Sequence, residues 1–210
     1  MDHRSLSREL SLISLGLIKD NTEQNNFDVD DINFESVFES GIELMTNHCR
    51  EELAECEDKL DKTCSKLLDS ELSEIHNELF EKSRNEIKEI VSEIETVMNT
   101  LSDILDFPKL IAISDSSEVR NDIKNRILKV LKNIFNIDSS INNVMEGWRF
   151  KRLPRIDRDI LRLAFVDIKY LNTPVSVACN EAVNLANKYS DMQGRKMING
   201  ILRRLQNEKE

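Results

Sequence analysis

Between Gly41 and Gly147 the chain contains no glycine and a single proline, Pro108. So long a stretch without the residues that reverse a chain cannot supply the turns a sheet needs, and long helices are what it can form. The apolar positions agree. Ile42, Met45, Cys49, Leu53, Cys56, Leu60, Cys64 and Leu67 are spaced 3, 4, 4, 3, 4, 4 and 3 apart, an eleven-residue period close to that of a straight helix. Leu72, Ile75, Leu79, Ile87, Ile90, Ile94, Val97, Leu101 and Ile104 carry the pattern on to a stop at Phe107-Pro108. Asp69-Ser70 is only a weak break, so one helix or two fits the stretch. With 5 glycines, 3 prolines and 5% aromatics in the whole chain, the fold class expected is all-α.

The segments on either side read the same way. Leu6, Leu10, Ile13 and Leu17 give a short amphipathic first helix, with Arg4 and Arg8 one turn apart on another face. Lys19 to Asn33, rich in Asn and Asp, reads as a loop. Val119, Ile123, Ile127, Val130, Ile134 and Ile137 form a helix capped by Ser116 or Ser117, with Arg120, Lys124, Lys129 and Lys132 outside it. Asp138, Ser139 and Ser140 are expected to cap a shorter helix holding Ile141, Val144, Met145 and Trp148.

The clearest helix comes next, with Ile156, Ile160, Leu163, Ala164, Ile168 and Leu171 on one wide apolar face. Arg158, Arg162 and Lys169 share its polar side, while Asp157 and Asp167 lie on or beside the apolar arc. A carboxylate there must cap a backbone, pair with a base or meet a partner. Thr173 suits an N-cap and Pro174 the first helical position of the following helix, whose stripe is Val175, Ala178, Ala182, Leu185 and Tyr189. Ser190 to Gly194 break it before a last stripe of Ile198, Ile201, Leu202 and Leu205. Asn199-Gly200 sits inside that periodicity, so Gly200 is expected to permit close helix contact rather than a hairpin turn.

The net charge of −10 argues against a polyanionic ligand only if it is spread evenly, and it is not. From Glu35 to Phe107 there are 20 acidic and 7 basic residues, a net of −13; from Trp148 to Glu210 there are 7 acidic and 13 basic, a net of +6. Binding follows the local field rather than the sum. The four cysteines form no CxxC pair and read as buried reduced thiols, without disulfide or zinc. No apolar run reaches the roughly 18 residues of a membrane span, and the amino end lacks the core of a signal peptide. A soluble cytoplasmic protein is expected. A glycine-rich phosphate loop, HExxH and a nucleophile elbow are all absent from the sequence, and the three histidines stand apart at 3, 48 and 76. We expect no enzyme and no cofactor; the chemistry is recognition.

In order and spacing, Arg152-Leu153, Ile156-Asp157-Arg158, Ile160-Leu161-Arg162-Leu163-Ala164, Pro174, Asn180-Glu181-Ala182-Val183, Leu185-Ala186 and Asn199-Gly200-Ile201-Leu202 resemble the NusB family of bacterial transcription antitermination factors. Arg4-Ser5-Leu6-Ser7-Arg8-Glu9-Leu10 resembles that family's basic opening helix. The resemblance implies a NusB-like bundle of short helices in two small subdomains, formed by residues 1–34 and 113–210. Because family members are typically shorter, 35–112 reads as an inserted acidic segment, and an insertion must return the chain to the core it left. An antiparallel hairpin with arms of about 50 Å fits.

The resemblance also implies partners: boxA-type RNA, the small-subunit ribosomal protein NusE and the transcribing RNA polymerase complex, with no membrane. It places RNA contacts at Arg4 and Arg8 on the opening helix and at Arg195, Lys196 and Asn199 at the start of the last, where N–H groups also attract phosphate. It places Asp157, with Arg158 beside it, at the protein interface, and leaves Asn180 and Glu181 to hold helices together. Two rivals stand: a scaffold whose acidic hairpin binds a basic partner, and a NusB-like domain related to rRNA methyltransferases.

Overall fold

The computed structural model describes residues 3–18, 32–72, 79–105, 111–112, 116–145, 147 and 149–207. Residues 19–31 of the loop expected from Lys19 to Asn33, the Phe107-Pro108 stop and Trp148 lie outside them. The described residues are helical and contain no strand: α1 (His3–Leu17), α2 (Phe34–Leu72), α3 (Leu79–Leu105), α4 (Ser117–Lys132), α5 (Ile134–Val144), a 3-10 turn (Phe150–Arg152), α6 (Arg155–Lys169), α7 (Val175–Tyr189) and α8 (Met192–Asn207). They divide into two compact units, residues 1–42 with 112–210, and residues 43–111.

In the first unit α6 is the axis, packed against α1, α4, α5, α7 and α8. A helix with neighbours on every side must be buried all round, and every residue from Asp159 to Ile168 is buried. The polar side expected for α6 is therefore not a solvated face: Arg162 is enclosed along with Ile160, Leu161 and Val166. Ser116 caps α4, its hydroxyl accepting from the Val119 N–H at 3.3 Å. The apolar stripe expected to run unbroken to Ile137 is interrupted at Asn133, which separates α4 from α5. Asp138, Ser139 and Ser140 consequently lie inside α5 instead of capping it. The α7 cap falls at Pro174, one residue later than expected, and the turn before it is made by Asn172 at φ 53°, a left-handed conformation that Asn tolerates.

The second unit holds α2 beyond its first turns, together with α3. The first turns of α2 belong to the other unit because they pack there: Phe38 is buried, and a Cβ on Gly41 would lie 3.7 Å from Ile13 and from Ser14. The backbone of α2 continues through Asp69-Ser70, and α3 begins at Leu79 as a separate helix. Cys56 and Thr63 of α2 and Ile90 and Val97 of α3 are buried, and Thr63 Oγ1 donates to Glu93 Oε2 at 2.8 Å. That bond lies nine residues before the end of α2 and fourteen after the start of α3. In a parallel pair the ends to be joined would be about 35 Å apart, beyond the roughly 25 Å that the six linking residues can span. The two helices run antiparallel.

Candidate nucleic-acid interface

The position of α1 is set by buried charges. Arg8, expected on an open face beside Arg4, is only 4% exposed. Its Nε donates to Asp167 Oδ2 at 2.5 Å, and Nη1 lies 3.8 Å from Glu181 Oε2. Arg126 of α4 donates to the other oxygen of the same carboxylate, Asp167 Oδ1, at 2.8 Å, and also reaches Ser7 and Asp122. Burial opposes the charge on Arg126, but Asp167 and Asp122 outweigh it and hold the guanidinium above its ordinary pKa. Next along α1, Glu9 is fully buried and accepts from Tyr189 Oη at 2.5 Å and Lys188 Nζ at 2.7 Å. Asp167 thus meets the need for a base that its place on the apolar arc imposed. Arg8 is committed to that role, and its guanidinium is not available to phosphate. Arg4, one turn nearer the amino end, is exposed.

A second buried cluster fixes α6 to α5. Arg162 Nε and Nη2 donate to the two oxygens of Asp138, each at 2.8 Å, and Nη1 donates to Asp159 Oδ1 at 2.8 Å. Phe150 lies beneath the guanidinium, 5.5 Å from ring centre to Cζ. Burial works against this charge too, and Asp138 with Asp159 raises its pKa further above the ordinary arginine range.

The start of α8 differs from expectation in two ways. The helix begins at Met192, so Gly194 lies within its first turn. Its N–H is not open to phosphate, because it donates to Asp191 Oδ1 at 2.6 Å. A Cβ on Gly194 would run into Ser190 Oγ and stand 2.7 Å from Asp157 Oδ2, so any larger residue there would force those two side chains to move where α8 meets the start of α6. Asp157 is 3% exposed beneath it. The residue expected at a protein interface is enclosed within the chain itself; its neighbour Arg158 is half-buried. Gly200, expected to allow close packing, faces open space: no atom lies within 4 Å of where its Cβ would be. Glu181 reaches α1 through Arg8, as its helix-holding assignment requires, whereas Asn180 is exposed.

What remains at the surface is cationic. Between Arg149 and Gln206, Arg149, Lys151, Arg152, Lys169, Lys188, Arg195, Lys196 and Arg203 are exposed, against a single exposed carboxylate, Asp191. The acids of this stretch are not missing but hidden: Asp157, Asp159 and Asp167 are all buried. Arg195, Lys196 and Asn199 are exposed on the first two turns of α8. Sequence reasoning missed the role of burial here; the signal was the pair of aspartates already placed on an apolar face. The described residues include no cluster of His, Cys, Asp and Glu suited to a metal ion.

Comparison with known proteins bears on what such a surface is for. The family model described as NusB family matches residues 90–207. Transcription antitermination protein NusB of a Synechococcus species is 36% identical over 205 residues, covering 98% of this chain and 93% of its own length. The protein of the same name from Microcystis aeruginosa is 32% identical over 205 residues, covering 98% and 91%. A solved structure of T. maritima NusB aligns with 29% identity over 53% of this chain and 75% of its own, at a TM-score of 0.44. The acidic unit lies within the length aligned with the Synechococcus and Microcystis proteins. With a family match over more than half of the chain and relatives alike along nearly all of it, the chain belongs to the NusB family.

Proposed function

We propose that this chain binds boxA elements of ribosomal RNA leader transcripts together with NusE, and so keeps transcribing RNA polymerase from stopping early. Transcription antitermination is the activity its NusB relatives are named for, and family membership carries it to this chain. That activity is recognition and needs no catalytic centre. The observation that carries the RNA reading is the charge sorting of the carboxyl-terminal helices, with acids enclosed and cations exposed. Single-stranded RNA is held by cations on its phosphates and by polar groups on its splayed bases. Arg4, Arg195 and Lys196 supply the first and Asn199 the second. Arg8 acts through α1, fixing the helix that carries Arg4. Arg158, half-buried at the start of α6, is the contact offered to NusE. No helix among the described residues is long and apolar enough to cross a membrane, and the working place proposed is the cytoplasm.

Replacing Arg195 and Lys196 together by Ala tests this. The slope of log affinity for boxA RNA against log salt should flatten by about 0.7 for each phosphate that the protein no longer neutralises, while urea unfolding stays unchanged. An unaltered slope removes both residues from the interface.

A further inference from the structure

The 43–111 unit buries one side of α3 and leaves another apolar side uncovered. Ile87, Val91 and Met98 are 56%, 48% and 65% exposed, and Ile94 falls between them in the spacing 4, 3, 4 of a heptad seam. On α2, Leu53 and Leu60 are 41% and 39% exposed. At about 100° per residue these two lie roughly 50–70° to one side of the line through Cys56 and Thr63. Ile87, Val91 and Met98 lie roughly 70–110° to the same rotational side of the line through Ile90 and Val97. In an antiparallel pair the same sense of rotation brings both sets onto one face. The two helices therefore present a continuous apolar trough, which soluble surfaces rarely leave uncovered.

The charge around the trough selects its occupant. Residues 43–111 contain 18 acidic and 8 basic residues, a net of −10, equal to the net charge of the whole chain. Glu57 and Asp61 on α2 are exposed and, by the same helical projection, lie on the outer side of its apolar positions, while on α3 exposed Glu95 shares the corresponding line with exposed Lys88. A second copy would set another −10 against these carboxylates. A helix with apolar residues at heptad positions and Lys or Arg beside them would instead complete a three-helix bundle, its cations meeting the acidic rim of α2. We infer that the trough of α2 and α3 docks a cationic amphipathic helix of a partner protein, separately from the RNA surface.

The test uses the full chain and, as probe, a fluorescein-labelled peptide of three heptads with Leu at the two seam positions and Lys or Arg at the flanking ones. An anionic counterpart, with Glu replacing each cation, is the control. The cationic peptide should bind and the anionic one should not. Met98→Glu and Val91→Glu should each weaken binding about tenfold or more, the loss expected at the centre of a packed interface. Either substitution adds negative charge, so mere attraction between opposite charges predicts the reverse. Reversing charge at the rim, Glu57→Lys with Asp61→Lys, should weaken binding without touching the seam, and boxA RNA affinity should stay unchanged in every variant. Absence of cationic-peptide binding overturns the proposal, as does binding that Met98→Glu leaves intact or strengthens. Self-association of the unmodified chain in sedimentation equilibrium, abolished by Met98→Glu, would give the trough to a second copy and overturn it equally.

Discussion

The two units of this chain treat charge in opposite ways. Residues 1–42 with 112–210 contain 21 acidic and 21 basic residues, whereas 43–111 contain 18 and 8. The neutral unit encloses Glu9, Asp157, Asp159 and Asp167, with Asp167 on Arg8 and Arg126 and Asp159 on Arg162, and turns a cationic surface outward along α8. Among the described residues of the acidic unit no carboxylate is buried, and apolar side chains are exposed beside them. Net charge therefore says little about what either surface binds. What decides is which sign of charge the packing encloses.

The comparison is broken most severely by removing the buried centre of the neutral unit. Asp167→Ala leaves two guanidiniums, those of Arg8 and Arg126, buried without their shared carboxylate, and should cost about 3–5 kcal/mol in urea unfolding. A loss under 1 kcal/mol would mean that the cluster does not hold α1 in place. Leu161→Ala, at a side chain with no exposed surface, should cost about 2–5 kcal/mol. Gly194→Ala forces a methyl group against Ser190 and Asp157 and should cost about 1–3 kcal/mol, with RNA affinity falling as the start of α8 shifts. Met98→Ala on the other unit should change stability by no more than about 0.5 kcal/mol, which sharpens the contrast between an enclosed core and an uncovered seam.

The smallest effect concerns thiols. Burial pushes the Cys179 thiol up, and a hydrogen bond with Gln206 only partly offsets this. The unfolded chain then loses that proton first as pH rises, so the stabilisation is complete below the unfolded thiol pKa and is lost as pH climbs through the folded one. Alkylation at mildly alkaline pH should modify exposed Cys64 well before Cys179. Equal rates would contradict the burial of Cys179.

Periodicity made the helices legible, because each one's apolar stripe is local in sequence. It also placed Asp157 and Asp167 on an apolar face, the one clue to buried charge. Their surroundings were not legible. Arg8 and Asp167 are 159 residues apart, and nothing in a helical projection of α1 shows that α4, α6 and α7 close around it. For the same reason Arg162 read as a surface residue, although α5 brings Asp138 over it. The glycines were misjudged together: Gly200 looked like the close-contact residue, while Gly194, read as a break, is where Asp157 and Ser190 leave no room for a side chain. The motif of the carboxyl-terminal helices survived these misreadings because order and spacing along the chain do not depend on which face is covered.

The central claim is that the cationic surface of the neutral unit recognises boxA RNA with NusE. The most direct measurement is fluorescence anisotropy of labelled boxA RNA and of a scrambled RNA of the same composition, titrated with the full chain with and without NusE at two salt concentrations. Binding to boxA should be tighter than to the scrambled RNA, strengthened by NusE and weakened steeply by salt. Equal binding of the two RNAs, or none with NusE present, would contradict it.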